Sequence, residues 1–259
     1  MIVIDLYPHL LERTVTIHAD PPMVFRYFTD TERWSRWWGS GSIIDARPGG
    51  RVLICYPNGP KASGEVLEVL APERIAFTYG YDSGVPIAPG RSRVTIRLEA
   101  IATGTRLHLV HEFFESDVRD QHIAGWRFQL SVFSNVVADE VFADVSNVVD
   151  AWFQAWEIPD DDERLSALDK IAAADVRFSD RFSALESLAE VSAHAGAAQR
   201  FMPGVRLQRD GQIRHCQGSV LADWNAVGSG SAGASGTNLF TLDQTCRIVA
   251  VVGFSNSSG

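Results

Sequence analysis

The chain has 259 residues, of which 46% are hydrophobic and 21% are charged, and its formal net charge is −9. This composition is that of an ordinary globular protein, and the length predicts about two domains. The negative charge repels phosphate backbones and anionic lipid headgroups, and no basic run offsets it, so neither a nucleic acid nor a membrane surface is an expected partner.

Targeting and redox signals favour a cytoplasmic location. The first residues carry Asp5 and Glu12 and lack the basic region and the unbroken apolar region of a secretory signal. No stretch approaches the ~18 consecutive apolar residues of a membrane span. The three cysteines, Cys55, Cys216 and Cys246, are far apart and have no nearby histidine at zinc spacing, so no metal site is expected.

The first part of the chain predicts two short helices and a series of strands. Residues 12–18 alternate as an opening strand, and Asp20 before Pro21 and Pro22 predicts a helix N-terminus. A second short helix is predicted over 29–38. Six further strands, separated by turn signals, are predicted over 42–46, 51–56, 62–70, 74–81, 92–100 and 105–114.

A long amphipathic helix is predicted over 117–142. Its apolar side chains recur every three or four residues and therefore share one side of the helix: Ile123, Trp126, Leu130, Phe133, Val137 and Val141. We expect the sheet formed by the preceding strands to close over that side. Gly125 would let a strand or a ligand approach the helix backbone.

This order of elements resembles the START-like, or helix-grip, superfamily, and within it the branch named for activators of the heat-shock-protein ATPase. The segments that carry the resemblance are ADPPMVFRYFTDTERWSRWW, SGEVLEVLAPERIAFTY, SRVTIRLEAIATGTRLHLVHEFF and HIAGWRFQL. The resemblance implies an antiparallel sheet wrapped around the C-terminal helix, with a cavity between them, in a domain that covers residues 1–142.

The pattern changes after residue 142. Three helices are predicted, over 145–156, from the acidic run 160–163 onward, and over 182–201, with a short strand at 176–180. Strands follow over 205–208, 212–227, 236–243 and 246–254, and a flexible Gly/Ser/Ala loop is predicted over 228–235.

These segments are similar to the SnoaL-like branch of the nuclear-transport-factor-like superfamily, through VDAWFQAWEIPDDDERLSAL, DVRFSD and GTNLFTLDQTCRIVAVVGF. The resemblance implies three helices on a curved sheet around one pocket, and its members include polyketide cyclases, isomerases and dehydratases. The turn from Asp243 to Arg247 departs from the family's usual Asp-x-x-Gly-Arg hairpin. The sheets of such domains often pair, so a homodimer through the sheet of the second domain is expected.

The predicted fold class is therefore α+β throughout. A START-like helix-grip domain over 1–142 is followed by a SnoaL-like α+β cone over 143–259.

The candidate site of the first domain is an aromatic pocket. Period-two alternation places His111 on the same sheet face as Leu107 and Leu109, where a buried imidazole is either a general base or a core histidine with a hydrogen-bond partner. Aromatic side chains predicted to line a pocket for a flat apolar ligand, where they are not simply core, are Trp37, Trp38, Tyr56, Phe77, Tyr79, Phe113, Trp126 and Phe133.

In the second domain, a cyclase or isomerase would need an acid or base beside an apolar pocket and donors for a developing enolate. The candidates are Asp180, Asp223 and His215 for the chemistry, and Asn238 and Trp156 for ligand binding. Each has a structural alternative, because Asp180 could cap a helix that begins near Ser183 and Asp223 could share the outer sheet face with His215.

No nucleophile elbow, phosphate loop, dinucleotide fingerprint or metal-binding helix is present, so no cofactor is expected. The sequence favours a protein that binds small hydrophobic or aromatic molecules, with polyketide cyclase-like or isomerase-like chemistry as one possibility. A non-catalytic carrier, sensor or sequestering protein is the alternative. Co-chaperone activity is a third interpretation, disfavoured because full-length activators carry a further N-terminal domain, whereas only a short segment precedes the first predicted strand here.

Overall fold

The computed structural model describes residues 7–228 and 233–256. It divides into two compact units, Met1–Ala138 and Asp139–Gly259. The domain boundary predicted at residue 142 stays a prediction. Two stretches discussed above lie outside the described residues. They are residues 1–6, part of the segment that lacks the features of a secretory signal, and residues 229–232, from the predicted Gly/Ser/Ala loop. None of the helices in the described part of the chain has the length and hydropathy needed to cross a bilayer.

The described residues of the first unit form a seven-stranded sheet with two short helices and one long one. In chain order the elements are β1 (His9–Ile17), α1 (Pro21–Arg26), α2 (Thr31–Trp38), β2 (Ile43–Ile44), β3 (Arg51–Cys55), β4 (Lys61–Leu70), β5 (Arg74–Tyr79), β6 (Ser92–Ile101), β7 (Gly104–Phe113) and α3 (Ser116–Val141). The strand order is β1-β7-β6-β5-β4-β3-β2, and every pairing is antiparallel.

Local sequence signals explain where the short helices begin and end. The Asp20 carboxylate accepts a hydrogen bond from the Met23 backbone N–H at 2.8 Å at the start of α1, and Asp30 caps α2 in the same way. Helix α2 ends at Gly39, which has a φ of +132°. A Cβ at this position would lie 2.3 Å from the Cys55 carbonyl oxygen, so only glycine fits.

The core of the first unit lies between the sheet and α3. The inward residues of β7 are fully buried as the alternation predicted: Leu107, Leu109, His111 and Phe113. On α3 the buried stripe begins at Val118 and continues through His122 and Trp126, whereas Ile123 is only half-buried. His122 and Ile123 both fit helical spacing from Trp126, so periodicity alone did not distinguish them.

The described residues of the second unit form three helices and a six-stranded sheet. The elements are α4 (Val145–Ala155), α5 (Asp161–Asp169), β8 (Ala172–Ser179), β9 (Ala184–Leu185), α6 (Leu188–Phe201), β10 (Arg206–Cys216), β11 (Ser219–Val227), β12 (Ser235–Leu242) and β13 (Ile248–Ser255). The order is β10-β11-β12-β13-β8-β9, and β8 runs parallel to β13 while the other pairs are antiparallel. The α+β fold class is thus confirmed for both units.

Helix α6 begins later than the sequence predicted. It starts at Leu188 and not at residue 182, because Ser187 caps it by accepting from the Glu190 N–H at 3.3 Å. The Glu190 carboxylate in turn accepts from the Glu186 N–H at 2.7 Å. This is a variant of the capping box in which the carboxylate bonds the residue before the N-cap, and Ala184–Leu185 pair with β8 as β9.

A fully buried arginine joins α5 to α6. The Arg164 side chain donates to the Ser192 and Ile158 carbonyl oxygens, both at 2.8 Å, and also to the Asp161 carboxylate. A Cβ at Gly196 would lie 2.5 Å from the guanidinium. The glycine therefore makes room for the buried charge on the facing helix.

Candidate functional site

The first unit contains a cavity of ≈ 550 Å³, within the size range of small-molecule sites. It lies at the end of α2, beside β5 and the first half of α3. Five of the aromatic residues predicted for a pocket line it: Trp37, Trp38, Tyr56, Tyr79 and Trp126. Further lining residues that the sequence pattern did not indicate include Tyr81, His122 and Gln129.

Three tyrosines, Tyr56, Tyr79 and Tyr81, are among the polar residues of this cavity. The hydroxyls of Tyr56 and Tyr79 are 2.8 Å apart, and the rings of Tyr56 and Tyr81 are stacked with centroids 6.1 Å apart. Burial raises the pKa of both Tyr56 and Tyr79, since removal from water disfavours the phenolate. The hydroxyls therefore stay protonated at neutral pH.

His111 is not among the lining residues, which corrects its expected position in the pocket. Trp126 Nε1 donates to His111 Nδ1 at 2.8 Å, so Nδ1 carries no proton and Nε2 donates to Ser92 Oγ at 2.8 Å. Ser92 Oγ then donates to the Tyr79 carbonyl oxygen at 2.9 Å. Burial lowers the pKa of His111, which is fully inaccessible. The imidazole is a neutral core group that orients Trp126, and it has no free nitrogen for a general base.

Three of the predicted pocket residues also lie outside the lining. Phe77 packs edge-on against Trp34 with centroids 5.8 Å apart, and Phe133 stacks on Phe28 at 5.0 Å. Phe113 is fully buried. All three side chains point into the core as predicted. They do not reach the cavity, because other side chains pack against them.

The second unit contains a cavity of ≈ 490 Å³ with aromatic walls. Helices α4 and α6 and strands β8, β11 and β12 contribute to it. Rings that form the walls are Trp152, Trp156, Phe178 and Trp224, and the exposed side chains of Phe182 and Phe201 stand at its mouth. Trp156 lies where the sequence predicted a wall.

Asp180 and Asn238 both line this cavity, as predicted for a ligand site. A Cβ built at Gly253 would lie 3.3 Å from Asn238 Oδ1 and 3.4 Å from Asp180 Cβ, so the two side chains flank the same glycine. Trp224 Nε1 donates to Asn238 Oδ1 at 3.1 Å, which leaves the Asn238 NH₂ group as a donor. Asp180 accepts from the Phe182 N–H at 2.8 Å and does not cap α6.

A histidine that the sequence analysis missed lies in the same cavity. His194 Nε2 is 3.3 Å from Ser183 Oγ, and the Asp180 N–H donates to the Ser183 carbonyl oxygen at 3.0 Å. The His194 ring lies edge-on to Trp156 with centroids 5.8 Å apart. Its position three residues after the buried Val191 on α6 is the signal that could have identified it.

Asp223 and His215 lie away from this cavity, which corrects the other two candidates. Asp223 accepts from Thr237 Oγ1 at 2.5 Å and pairs with Arg214 at 3.3 Å, on the opposite face of β11 from the lining residues. His215 Nε2 accepts from the Gly218 N–H at 3.0 Å. Burial lowers the pKa of His215. Asp223 faces outward, whereas His215 lies opposite the buried Val220 and packs on Phe142 with ring centroids 5.0 Å apart. The prediction that the two side chains share the outer sheet face is therefore wrong, because odd-numbered residues of β10 pair with even-numbered residues of β11, so two odd-numbered side chains point to opposite faces.

The second cavity thus combines an apolar volume with a carboxylate, an imidazole, a hydroxyl and an amide. Such groups can move a proton on an apolar carbonyl compound without a cofactor. No cluster of three or more His, Cys, Asp or Glu side chains able to hold a metal ion occurs among residues 7–228 and 233–256.

Comparison with known proteins finds a family model that is similar to part of the first unit. Residues 18–138 match the family model of the Activator of Hsp90 ATPase homolog 1-like protein. No curated protein matches the sequence. Similar solved structures include a SnoaL-like family protein from Agrobacterium tumefaciens, with 23% identity over 43% of this chain and 96% of that chain and a TM-score of 0.41. They also include the Aha1 dimer from Colwellia psychrerythraea, with 14% identity over 50% and 96% and a TM-score of 0.44.

The residues matched by the family model contain β2 to β7 and most of α3, which are six of the seven strands and the long helix that the START-like resemblance implied. The second unit has the three helices and the sheet that the SnoaL-like resemblance implied. The first unit therefore has a START-like fold, and its residues 18–138 are similar to the Activator of Hsp90 ATPase homolog 1-like family, while the second unit has the element content that the SnoaL-like resemblance implied.

Proposed function

We propose that the protein binds small, neutral hydrophobic or aromatic molecules, one in the cavity of each unit. One observation carries this proposal: each unit has a cavity of about 500 Å³ walled by aromatic rings, with few polar atoms directed into it. The volumes are ≈ 490 Å³ and ≈ 550 Å³, and interiors packed to normal density do not contain such spaces.

Binding stoichiometry tests this proposal with the neutral probe N-phenyl-1-naphthylamine. A Cβ at Gly125 meets none of the described residues within 4 Å, so Gly125→Phe directs its ring into the first cavity. Ala198→Phe fills the second cavity in the same way. Isothermal titration calorimetry should give two sites for the wild-type chain, one for each variant, and none for the double variant.

Matched controls place the same ring on the solvent side of the same helices. Ala124→Phe and Ala193→Phe are exposed positions on α3 and α6 that line neither cavity, and both variants should keep two sites. If the filling variants bind as many probe molecules as their controls, the cavities are not the binding sites and the proposal fails.

A second candidate function is cofactor-independent acid–base chemistry in the second cavity. The observation that favours it is the convergence of Asp180, His194, Ser183 and Asn238 on one apolar space. A carboxylate beside a bound ketone can remove a proton from the carbon next to the carbonyl, while the Asn238 amide donates to the developing enolate oxygen. This chemistry is common to isomerases and cyclases.

Proton exchange measures this chemistry without knowledge of the natural substrate. In D₂O, the wild-type protein should accelerate deuterium incorporation into the methyl group of 2-acetylnaphthalene, followed by NMR. Asp180→Asn should reduce the enzymatic rate by roughly 100-fold, the usual size of a general-base effect, with binding retained. Asp223→Asn, on the outer face, is the matched control and should exchange at the wild-type rate. Equal rates for wild type and Asp180→Asn would favour the carrier alternative.

The carrier alternative is supported most strongly in the first unit. Its fully buried histidine, His111, has both nitrogens engaged, and its tyrosines have raised pKa values. Among the described lining residues of that cavity only Arg36 is charged, and burial lowers the pKa of the lining His122, which makes it a weak base. Binding without chemistry is therefore the function that the first cavity supports best.

A further inference from the structure

The hydrogen bonding of the tryptophans in the first unit singles out one indole. Trp34 Nε1 donates to the Leu53 carbonyl oxygen at 3.2 Å, and Trp37 Nε1 donates to the Tyr27 carbonyl oxygen at 3.2 Å. Trp126 Nε1 is paired with His111, as described above. Trp38 Nε1 is buried and has no hydrogen-bond partner among residues 7–228 and 233–256, although the side chain is only 4% exposed.

A histidine in the same cavity carries the complementary atom. His122 Nδ1 lies 2.7 Å from the Val118 carbonyl oxygen, which only accepts, so Nδ1 holds the proton. Nε2 of the neutral ring is then an acceptor, and it is buried without a partner in the described part of the protein. Burial lowers the pKa of His122, which keeps the ring neutral at neutral pH.

The side chains that carry these two atoms line the same cavity among aromatic rings. The Trp38 ring lies 5.6 Å from Trp126 and 5.8 Å from Tyr56, and the His122 ring lies 5.9 Å from Tyr79. A buried donor or acceptor without a partner lowers stability by about 1–3 kcal/mol. A ligand that hydrogen-bonds to both Trp38 Nε1 and His122 Nε2 therefore binds more tightly than one that bonds neither.

The charge of the cavity defines the ligand further. Among the described lining residues only Arg36 is charged, and it pairs with Glu32 at 3.3 Å where both side chains are largely exposed. An ionised ligand would lose its hydration without gaining a buried counter-ion. The interior therefore suits a neutral molecule with one hydrogen-bond donor and one acceptor.

We propose that the first cavity selects a neutral phenol that also carries a carbonyl group. The phenolic hydroxyl donates to His122 Nε2, the carbonyl oxygen accepts from Trp38 Nε1, and the ring lies among the aromatic walls. This inference rests on the proposed function, because it names the ligand class of a cavity already proposed to bind a ligand.

Four probes that share the naphthalene ring measure the contribution of each hydrogen bond to the affinity. They are naphthalene, 2-naphthol, 2-acetylnaphthalene and 6-acetyl-2-naphthol. They are titrated calorimetrically into the full chain carrying Ala198→Phe, so that only the first cavity is observed. Each hydrogen bond should tighten binding about tenfold, which makes 6-acetyl-2-naphthol about 100-fold tighter than naphthalene.

Two variants test whether Trp38 Nε1 recognises the acetyl group of the probe and His122 Nε2 its hydroxyl group. Trp38→Phe should remove the advantage of the acetyl group and keep that of the hydroxyl, and His122→Phe should do the reverse. Trp34→Phe and His108→Phe are matched controls outside the cavity lining, the first with a paired indole and the second on the opposite face of β7 from His111. They should leave both preferences unchanged.

The outcomes distinguish this inference from the function on which it rests. If no probe binds, the proposed function of the first unit fails and the inference fails with it. If all four probes bind equally well, the cavity binds aromatic molecules and only the inference is overturned. Preferences that persist in Trp38→Phe and His122→Phe also overturn it, because other groups would then recognise the ligand.

Discussion

At the scale of single residues, the buried histidines of the first unit are constrained by their hydrogen-bond partners. His111 accepts from Trp126 and donates to Ser92, and His122 donates to the Val118 carbonyl oxygen. Burial lowers the pKa of both rings, and the proximity of His122 lowers that of His111 further. At a pH just below 6.5, these two histidines are therefore still neutral in the folded protein, whereas in the unfolded chain they are already protonated.

This difference predicts a loss of stability in mild acid. Because the folded pKa values lie below the unfolded value near 6.5, stability is complete above about pH 7 and falls as the pH drops toward the folded values. The slope reaches about 1.4 kcal/mol per pH unit for each proton taken up on unfolding. We expect the free energy of unfolding, measured with urea between about pH 7 and pH 5, to fall accordingly.

The variant His111→Asn should reduce this pH dependence even if it lowers stability at every pH. His108→Asn is the matched control, since His108 is on the opposite face of β7 and bonds Thr14 Oγ1 at 3.0 Å. An unchanged slope in His111→Asn would show that other groups cause the acid sensitivity.

At the scale of elements, the contact between α5 and α6 depends on one buried charge. Arg164 is fully inaccessible, and the two backbone carbonyl groups that it bonds lie on either side of the contact. Gly196 allows this approach because any Cβ there would overlap the guanidinium. The acidic run after Pro159 therefore does more than begin a helix, since Asp161 is also a partner of Arg164.

Replacement of this arginine should weaken the second unit. Arg164→Met keeps most of the apolar volume but removes the guanidinium donor of the Ser192 and Ile158 carbonyl groups, and Ile158 keeps only the Gln199 amide at 3.1 Å. We expect a loss of about 3 kcal/mol in the free energy of unfolding. Arg200→Met, at an exposed position on α6, is the matched control and should change stability little. Thermal and urea unfolding measure both variants, and equal stability would contradict the assignment.

At the scale of the whole molecule, the sheet of the second unit has an apolar row on its outer face. Leu221 lies opposite Leu239, and Leu239 lies opposite Val252, in adjacent antiparallel strands. All three are half-buried, whereas the neighbouring row of Val220 and Phe240 is buried in the core. Such a row on a sheet surface is typical of a face that pairs with another copy.

We expect the protein to form a homodimer through this face. Leu239→Lys should shift the mass measured by light scattering from dimer to monomer without unfolding the chain, because a buried lysine would face the same row of the partner. Thr241→Lys, at an exposed position on the same strand, is the matched control and should stay dimeric. A monomeric wild-type protein would contradict this expectation.

The sequence by itself determined the architecture of both units. Alternation along the strands, the carboxylate caps at Asp20 and Asp160 and the apolar spacing of the long helix are local signals, and the structure confirms the α+β fold class that they predicted. Such signals depend only on neighbours in the chain, so they can be read without coordinates. The capping box that starts α6 was present in the sequence as well, but the apolar spacing before it favoured an earlier start.

Only the tertiary structure decided which polar side chains face an open volume. His111 and His122 are both buried, yet the first has two partners within the core, whereas the second lines the cavity and its Nε2 has no partner among residues 7–228 and 233–256. His194 likewise meets Ser183 across an eleven-residue separation. Whether a buried polar atom is paired depends on side chains brought together from distant parts of the chain, and periodicity along one element contains no information about those partners.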